Sequence, residues 1–599
     1  AQEQARPTAL EEVVVTARKR EETVLEVPIA ISAISAKEIA AAGITNINDL
    51  NGVAPGLNFI GGVGNGPGGR SQGSVVFRGM APTTGAIREQ SGSLFVDGMY
   101  VSGGPAAVDT SDVERIEVLR GPQNAYFGRS TFGGAVNFIT RTPGEELKGE
   151  VSLSGGNFGS WGANASVEGG LIDGKLTGRL SGVSFKRGAQ YTSADGGALG
   201  EEKTQSITGT LYATPTDNWS IRLRLHLQQD DDGPVTNSYI RGMQYGSTCP
   251  GETFRGADAD GNSVSFALSR PYFCGSNPLP SIDSLPDHFI TANTSMYPAV
   301  LASIGRPNLW HDLVVNNSTN NPLMARAPHM TDFGMRRDVT RIALQSDYTF
   351  ANDISLVTNF GYNENSQITV YDVDRADVEN AYAALPAFDD SWSAELRMQS
   401  GQEQKLRWMI GASYFEYNVE NQQIGYQINV RYGGALPTAP YANTRTDETY
   451  TVPALFGSIE YDILDNLTVG ADARYQKDKT ETVNFTTSTT SSFEFTNTLP
   501  RVFVRYEPIP DLSLYATWGQ GVSPGQLNGN FANYTESQKA EICAQFPTCG
   551  ALAPLPEVDN YELGIKQRLF DGRAQYSVSV YQMDWKNINT GVSGVVSTT

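Results

Sequence analysis

The chain has 599 residues, more than an ordinary soluble domain takes, and a formal net charge of −21. That balance excludes a general nucleic-acid binder, which needs a basic footprint, and no run of about 18 apolar residues offers a membrane-spanning helix. Hydrophobic residues make up only 39%, yet there are 26 Tyr, 25 Phe and 62 Gly, a mixture that fits strands with every second residue polar better than a disordered chain.

In chain order, the opening Ala1-Gln2-Glu3 fits a mature protein after removal of a signal peptide. Up to Thr142-Pro143-Gly144, short apolar segments are mixed with glycine-rich loops and helix-like pieces. Beyond that point the pattern is strand, turn, strand, loop. In Ser220-Ile221-Arg222-Leu223-Arg224-Leu225-His226-Leu227-Gln228 the odd positions are aliphatic and the even ones polar. A soluble core would not accept Arg222, Arg224 and His226 on one strand face, whereas a wet or plugged lumen would. Similar alternation recurs at 512–518 and 576–581, and about 9–11 residues of it are what a tilted strand needs to cross a bilayer.

Short turns are expected at 172–175, 215–217, 352–353, 402–404, 464–466, 508–511 and 570–572, with longer connections at 230–337, 365–390, 418–448, 478–497 and 521–557. Alternation of short and long connections is the plan of an outer-membrane barrel, with short turns on the periplasmic side. The segments number about fifteen, an odd count, while a bacterial barrel closes on an even one. The expectation is an incomplete barrel, with the closing strands absent from this chain.

Chemistry-bearing motifs are few. Cys249 with Cys274 and Cys543 with Cys549 form two local pairs that suit loop-closing disulfides; the rival zinc site lacks any CxxC and a nearby His. Gly64-Asn65-Gly66-Pro67-Gly68-Gly69 satisfies GxGxxG, but no phosphate-facing helix follows, so an apical loop is expected. Asp230-Asp231-Asp232-Gly233 reads as a solvated acidic loop, with calcium binding as the alternative. His226, His288, His311 and His329 lack metal-ligand spacing, and no nucleophile elbow is present. No catalytic residue, metal or cofactor is expected. The aromatics of the long connection, Tyr272, Phe273 and Trp310 among them, either stack on a ligand or form the loop's own small core.

The residues resemble one family, the TonB-dependent receptors of the bacterial outer membrane. Glu12-Val13-Val14-Val15-Thr16-Ala17 is similar to a TonB box, the strand that a periplasmic energy-coupling protein captures. Val76-Phe77-Arg78-Gly79-Met80, Leu94 to Tyr100, and Val113-Glu114-Arg115-Ile116-Glu117-Val118-Leu119-Arg120-Gly121-Pro122 through Asn137 resemble the family's plug. Asn560-Tyr561-Glu562-Leu563-Gly564 and Tyr581-Gln582-Met583-Asp584-Trp585 extend the likeness into the barrel. The resemblance implies a transmembrane antiparallel β-barrel of the 22-stranded type, with an N-terminal α+β plug in its lumen. It divides the chain into a periplasmic tail (1–19), a plug (20–146) and a barrel (147–599).

Arg78, Glu114, Arg115, Glu117 and Arg120 are then expected to lock the plug against the wall, where Arg222, Arg224, Glu562, Lys566 and Arg568 offer lumen charges. Gly121, Gly128, Gly133 and Gly134 are expected to permit tight turns and positive φ. Asn65, Arg70, Tyr272, Phe273 and Trp310 are the expected ligand-facing residues. The function implied is TonB-dependent import of a scarce nutrient, a ferric siderophore first and oligosaccharide or aromatic compounds as the alternative. Expected partners are the TonB C-terminal domain with its inner-membrane energising complex, outer-membrane lipid and lipopolysaccharide, and a small-molecule ligand, with no nucleic acid. A passive porin is disfavoured by residues 20–145, and a signalling receptor by the short segment before Val13.

Overall fold

In the computed structural model, the described residues run from 13 to 588; the larger stretches outside the description are 62–69, 82–89, 103–107, 237–247, most of 250–321, 374–380, 428–441, 526–530 and 546–549, with 1–12 and 589–599 at the ends. Two structures built on opposite principles share the chain.

The N-terminal one is small and apolar inside. Strands β1 (Val14–Val15) and β2 (Glu22–Thr23) form a two-residue ladder. β3 (Ile31–Ser35) leads into α1 (Ala36–Ala41), where Ser35 and Glu38 form a reciprocal capping box that satisfies otherwise orphaned N–H groups. β4 (Leu57–Gly61) and β5 (Gly73–Phe77) make a hairpin-like pair. β6 (Gly92–Val96), β7 (Met99–Tyr100), β8 (Val113–Arg120) and β9 (Gly134–Thr140) join β3 in one mixed sheet of order β3-β8-β9-β6-β7, in which β6 and β9 run parallel. Ile34, Leu50, Leu57, Phe77, Ile116 and Phe138 are among the side chains buried in its core. Of the plug glycines, Gly121 and Gly128 do hold positive φ. Gly133 and Gly134 do not; they are needed for close approach, since a Cβ on Gly134 would lie 2.5 Å from the Leu119 carbonyl oxygen and 2.6 Å from the Phe77 ring.

The second structure is one antiparallel sheet of 15 strands, each paired with its neighbours in sequence, from Lys148–Gly155 to Ala574–Lys586. All seven expected short turns are present. Three long connections are corrected: strands reach Asp372 and resume at Ala381, reach Gln427 and resume at Ala442, and reach Asn484 and resume at Thr489. The pairing there continues through polar stretches such as Asn363-Glu364-Asn365-Ser366. Here the inner face is polar too, buried as Asn363 and Asn365 through hydrogen bonds to the Tyr100 carbonyl and to Asp389, so alternation fades from the sequence although the ladder persists. Strand Trp219–Asp232 shows the two faces plainly: Leu223, Leu225 and Leu227 are exposed, while Arg224 and His226 are buried on the lumen side. No helix among the described residues is long and apolar enough to cross a membrane; the strands do so.

Candidate functional site

The functional geometry lies in the seam between plug and wall, and it begins with the N-terminal strand. Val13 to Thr16 is a β-branched run that favours extended backbone, and Val14 pairs with Thr23, Val15 with Glu22. Val15 and Ala17 are fully buried, in a cluster with Val27, Ile29, Ile31, Phe95, Leu119 and Ala135. The Thr16 N–H donates to Glu117 Oε1 at 2.8 Å, and its hydroxyl lies 3.2 Å from both carboxylate oxygens. Burial raises the Glu117 carboxyl above its ordinary value, with Arg115 and Thr16 opposing. The candidate box is therefore stowed against the plug; Glu12 lies outside the described residues.

Behind it the chain turns through Lys19, a non-glycine residue at φ 60°, whose N–H donates to the Thr16 carbonyl at 2.9 Å. Such a conformation costs roughly 1–3 kcal/mol and persists only where its surroundings hold it. Here they do. Arg18 pairs with Glu22 and with Glu460 of the wall, Arg20 with Glu460, and Lys19 with Glu395. Arg18 also lies over the Phe503 ring at 4.9 Å and Lys19 over Phe456 at 4.8 Å. Burial alone would raise the Glu22 carboxyl, but Arg18 and Arg20 outweigh it and hold it at about 2. Burial pulls the Lys19 ammonium down to about 8, with Glu395 opposing. This basic triplet was not singled out in the sequence, although the charge run Arg18 to Glu22 directly behind the box is its only signal.

Of the five expected locking residues, one crosses to the wall by hydrogen bond. Arg78 pairs with Glu562, donates to Asn560 Oδ1 at 3.1 Å and lies 3.7 Å over the Tyr581 ring. Glu562 also accepts from the Ala30 N–H at 2.9 Å and the Tyr515 hydroxyl at 2.8 Å. The other four are corrected to contacts within the plug. Arg115 pairs with Glu114 and Glu117, and Arg120 donates to the Pro55 carbonyl and the Ser32 hydroxyl. The reason is local: β8 is an inner strand of the plug sheet, flanked by β3 and β9, so its charged side chains find plug partners first.

The wall residues fare better. Arg222 donates to the Thr140 and Arg141 carbonyls and pairs with Asp97 at 3.2 Å; Arg224 lies 3.8 Å from Asp112; Lys566 donates to the Val24 and Val27 carbonyls. Arg568 instead faces Asp511 of the barrel at 4.0 Å. Further seam contacts had no sequence signal: Arg179 with Asp112 at 2.7 Å, and Tyr126 with Asp472 at 2.5 Å.

Among the expected ligand-facing residues, Arg70 is corrected. It pairs with Asp232 at 2.7 Å and Asp230 at 3.1 Å, joining plug to wall. Asp230 and Asp232 are accordingly buried strand-end carboxylates, not a solvated loop, and Arg337 holds Asp230 from the other side at 2.6 Å. Asn65 and Trp310 lie outside the described residues, as do the side chains of Tyr272 and Phe273. Cys543 is disulfide-bonded, but Cys549, Cys274 and the side chain of Cys249 also lie outside the description.

Two cavities of the seam meet around Lys19. One of about 670 Å3 lies at the short-turn end, lined by Arg20, Glu114, Arg115, Arg222, Arg397 and Gln402 among others. A smaller one of about 90 Å3 lies further up, against Phe95, Tyr100, Tyr126, Phe415, Tyr417 and Arg474.

An antiparallel sheet with a lipid-facing apolar side, wrapped on a folded plug held by ion pairs, defines a plugged outer-membrane β-barrel. The family model described as TonB dependent receptor-like, beta-barrel matches residues 280–599, and that of the TonB-dependent Receptor Plug Domain matches 23–135. The chain belongs to the TonB-dependent receptors. It is 28% identical over 217 residues to the ferrioxamine B receptor of Salmonella typhimurium, a match covering 35% of this chain and 28% of that protein. It is 24% identical to the ferric enterobactin receptor of Pseudomonas aeruginosa, covering 98% of this chain and 71% of the relative. The crystal structure of the ferric yersiniabactin uptake receptor from Yersinia pestis shares the fold, with TM-score 0.67 and 16% identity over 94% of this chain and 73% of that one.

Proposed function

We propose that this protein imports a ferric siderophore across the outer membrane, driven through TonB. The observation that carries the reading is the docked strand Val13–Ala17. It is β-branched, paired edge to edge, and joined through Glu117 to the plug core and through Arg18 to Arg20 to the wall. A strand of this kind suits capture by β-augmentation, in which main-chain hydrogen bonds supply the affinity. The cargo class rests on the relatives, which are named as receptors for ferrioxamine B and ferric enterobactin. Its partners on this reading are the TonB C-terminal domain with its energising complex, outer-membrane lipid and lipopolysaccharide, and the chelate itself. The chemistry is transport, with no catalytic role. Local disulfides Cys249–Cys274 and Cys543–Cys549 complete the reading.

The test is uptake of labelled ferric siderophores by energised cells. Cells with the full-length protein should take up iron, and Val14→Pro, which removes a strand-pairing N–H, should abolish uptake while leaving chelate binding intact. Uptake that survives the proline contradicts the TonB assignment. Absence of uptake in both strains, above a receptor-null control, contradicts the cargo.

A further inference from the structure

The two seam cavities share part of their lining: Lys19, Gly98, Phe127, Asn359 and Glu395 border both. The lower one is reached from the strand ends at Thr349, Ser355 and Gln399, beside the short periplasmic turns. The upper one lies against mid-wall positions Ser393, Ser413 and Val452. What stands between them is the Lys19–Glu395 ion pair, with Arg397 bonded to Glu395 at 2.9 Å and the Phe456 ring 4.8 Å from the ammonium.

The upper cavity has a defined character. Tyr100 packs edge-on against Phe415 at 5.4 Å and Tyr417 at 6.4 Å, and Tyr417 stacks with Tyr450 at 6.0 Å, so aromatic faces climb the wall from it. Arg474 adds a buried guanidinium that bonds to Gln476 and Ser413, both neutral. Aromatic faces beside a cation suit an aromatic ring carrying an anionic oxygen. At about 90 Å3 the pocket is smaller than the apolar cavity of roughly 150 Å3 known to take up benzene. The missing space is where Lys19 sits.

Resting on the TonB-driven reading above, we propose that Lys19 and Glu395 are the gate of a cargo path between plug and wall, closing an aromatic, cation-edged pocket off from a chamber on the periplasmic side. Lys19 is two residues from Ala17, so traction on the box reaches it before any core strand of the plug. An extended chain advances about 3.3–3.6 Å per residue, and a pull of two residues carries the ammonium beyond ion-pair range of Glu395. The left-handed turn at Lys19 straightens in the same movement. The pocket then gains the volume of the lysine side chain and joins the lower chamber, open to a phenolate- or catecholate-bearing cargo.

The experiment is thiol labelling of the full-length protein in outer-membrane sheets open at the periplasmic face, where TonB is not energised. Ser393→Cys reports the upper pocket and Ser220→Cys the lower chamber, with N-ethylmaleimide as the probe. Ser393→Cys should react slowly in the parent and at least tenfold faster when Glu395→Ala or Lys19→Ala is added, while Ser220→Cys reacts at one rate throughout. An unchanged rate at Ser393→Cys, or a parallel rise at Ser220→Cys, overturns the gate. In energised cells with siderophore, labelling of Ser393→Cys should accelerate and Val14→Pro should suppress the acceleration. If the first arm succeeds and this one fails, the partition stands and the coupling to the box is wrong.

Discussion

The plug's interior and the seam around it are held by opposite means. Inside the plug, Ile34, Leu57, Phe77, Ile116, Val118 and Phe138 pack in a cluster that excludes charge. Across the seam, apolar contact is confined to patches such as Phe132 with Val558 and Tyr126 with Met409, and charge recurs around them: Arg78 to Glu562, Arg18 and Arg20 to Glu460, Lys19 to Glu395, Arg70 to Asp232. An apolar seam would bind tightly and indifferently to register. A polar one fixes position through matched partners, and its contacts exchange for water once the plug moves, because burying an ion pair gains little net stability. The plug therefore carries an apolar core of its own, while many of its attachments are ones that water can replace.

That contrast is broken most forcefully from the plug side. Phe77→Ala leaves a void beneath Gly92 and Gly134, both of which already approach the ring closely. A buried Phe→Ala change costs about 3–5 kcal/mol. Limited proteolysis should then cut within 20–140 while the barrel strands stay protected; equal protection of both regions would mean that the plug draws its stability from the wall. On the seam side, Glu562→Ala strands the Arg78 guanidinium and removes the acceptor of Ala30 and Tyr515. Removing one member of a buried pair costs about 3 kcal/mol or more. Hydrogen exchange should accelerate by over a hundredfold at Ala30 and leave Phe138 protected.

A smaller effect is set by pH. Glu22 has its carboxyl held at about 2 in the docked state, against 4.5 for a free one. A depressed carboxylate stabilises docking fully above pH 4.5 and loses that contribution as pH falls toward 2. A spin label at Val13→Cys should show constant mobility from pH 8 to 5.5. At pH 4 the docking equilibrium should weaken roughly fourfold. No change at pH 4 would mean that Glu22 does not hold the tail.

How far the sequence carried this account depends on range. Strict alternation at 220–228 exposed both faces of a wall strand, and the short turns were marked by Asp, Asn, Gly and Pro at 172–175, 464–466 and 508–511. Strand ends above the membrane were misjudged, since polar ladders at 363–366 leave no hydropathy signal. Site residues followed the same rule. Arg222 and Lys566 were legible as charges where a wall strand should face the lumen, Arg78 only through the family resemblance, and each meets the opposite domain. Glu117 was legible as special but not its partner, because Thr16 lies 101 residues away and nothing local links them. Arg70 was misread for the same reason: Asp230 and Asp232 are 160 and 162 residues further on.

On the proposed function, the box must leave a buried strand site before TonB can take it. Glu117 is the hold that can be weakened without touching the box itself. Glu117→Gln trades a charged acceptor for a neutral one, a loss of about 1–1.5 kcal/mol, or roughly tenfold in the docking equilibrium. The apparent affinity of a partner is reduced by the fraction of receptor in the competent state. Binding of the isolated TonB C-terminal domain to the full-length receptor, without siderophore, should therefore tighten by roughly tenfold in Glu117→Gln. An unchanged or weakened affinity would contradict the account, placing the site of TonB capture elsewhere than Val13–Ala17.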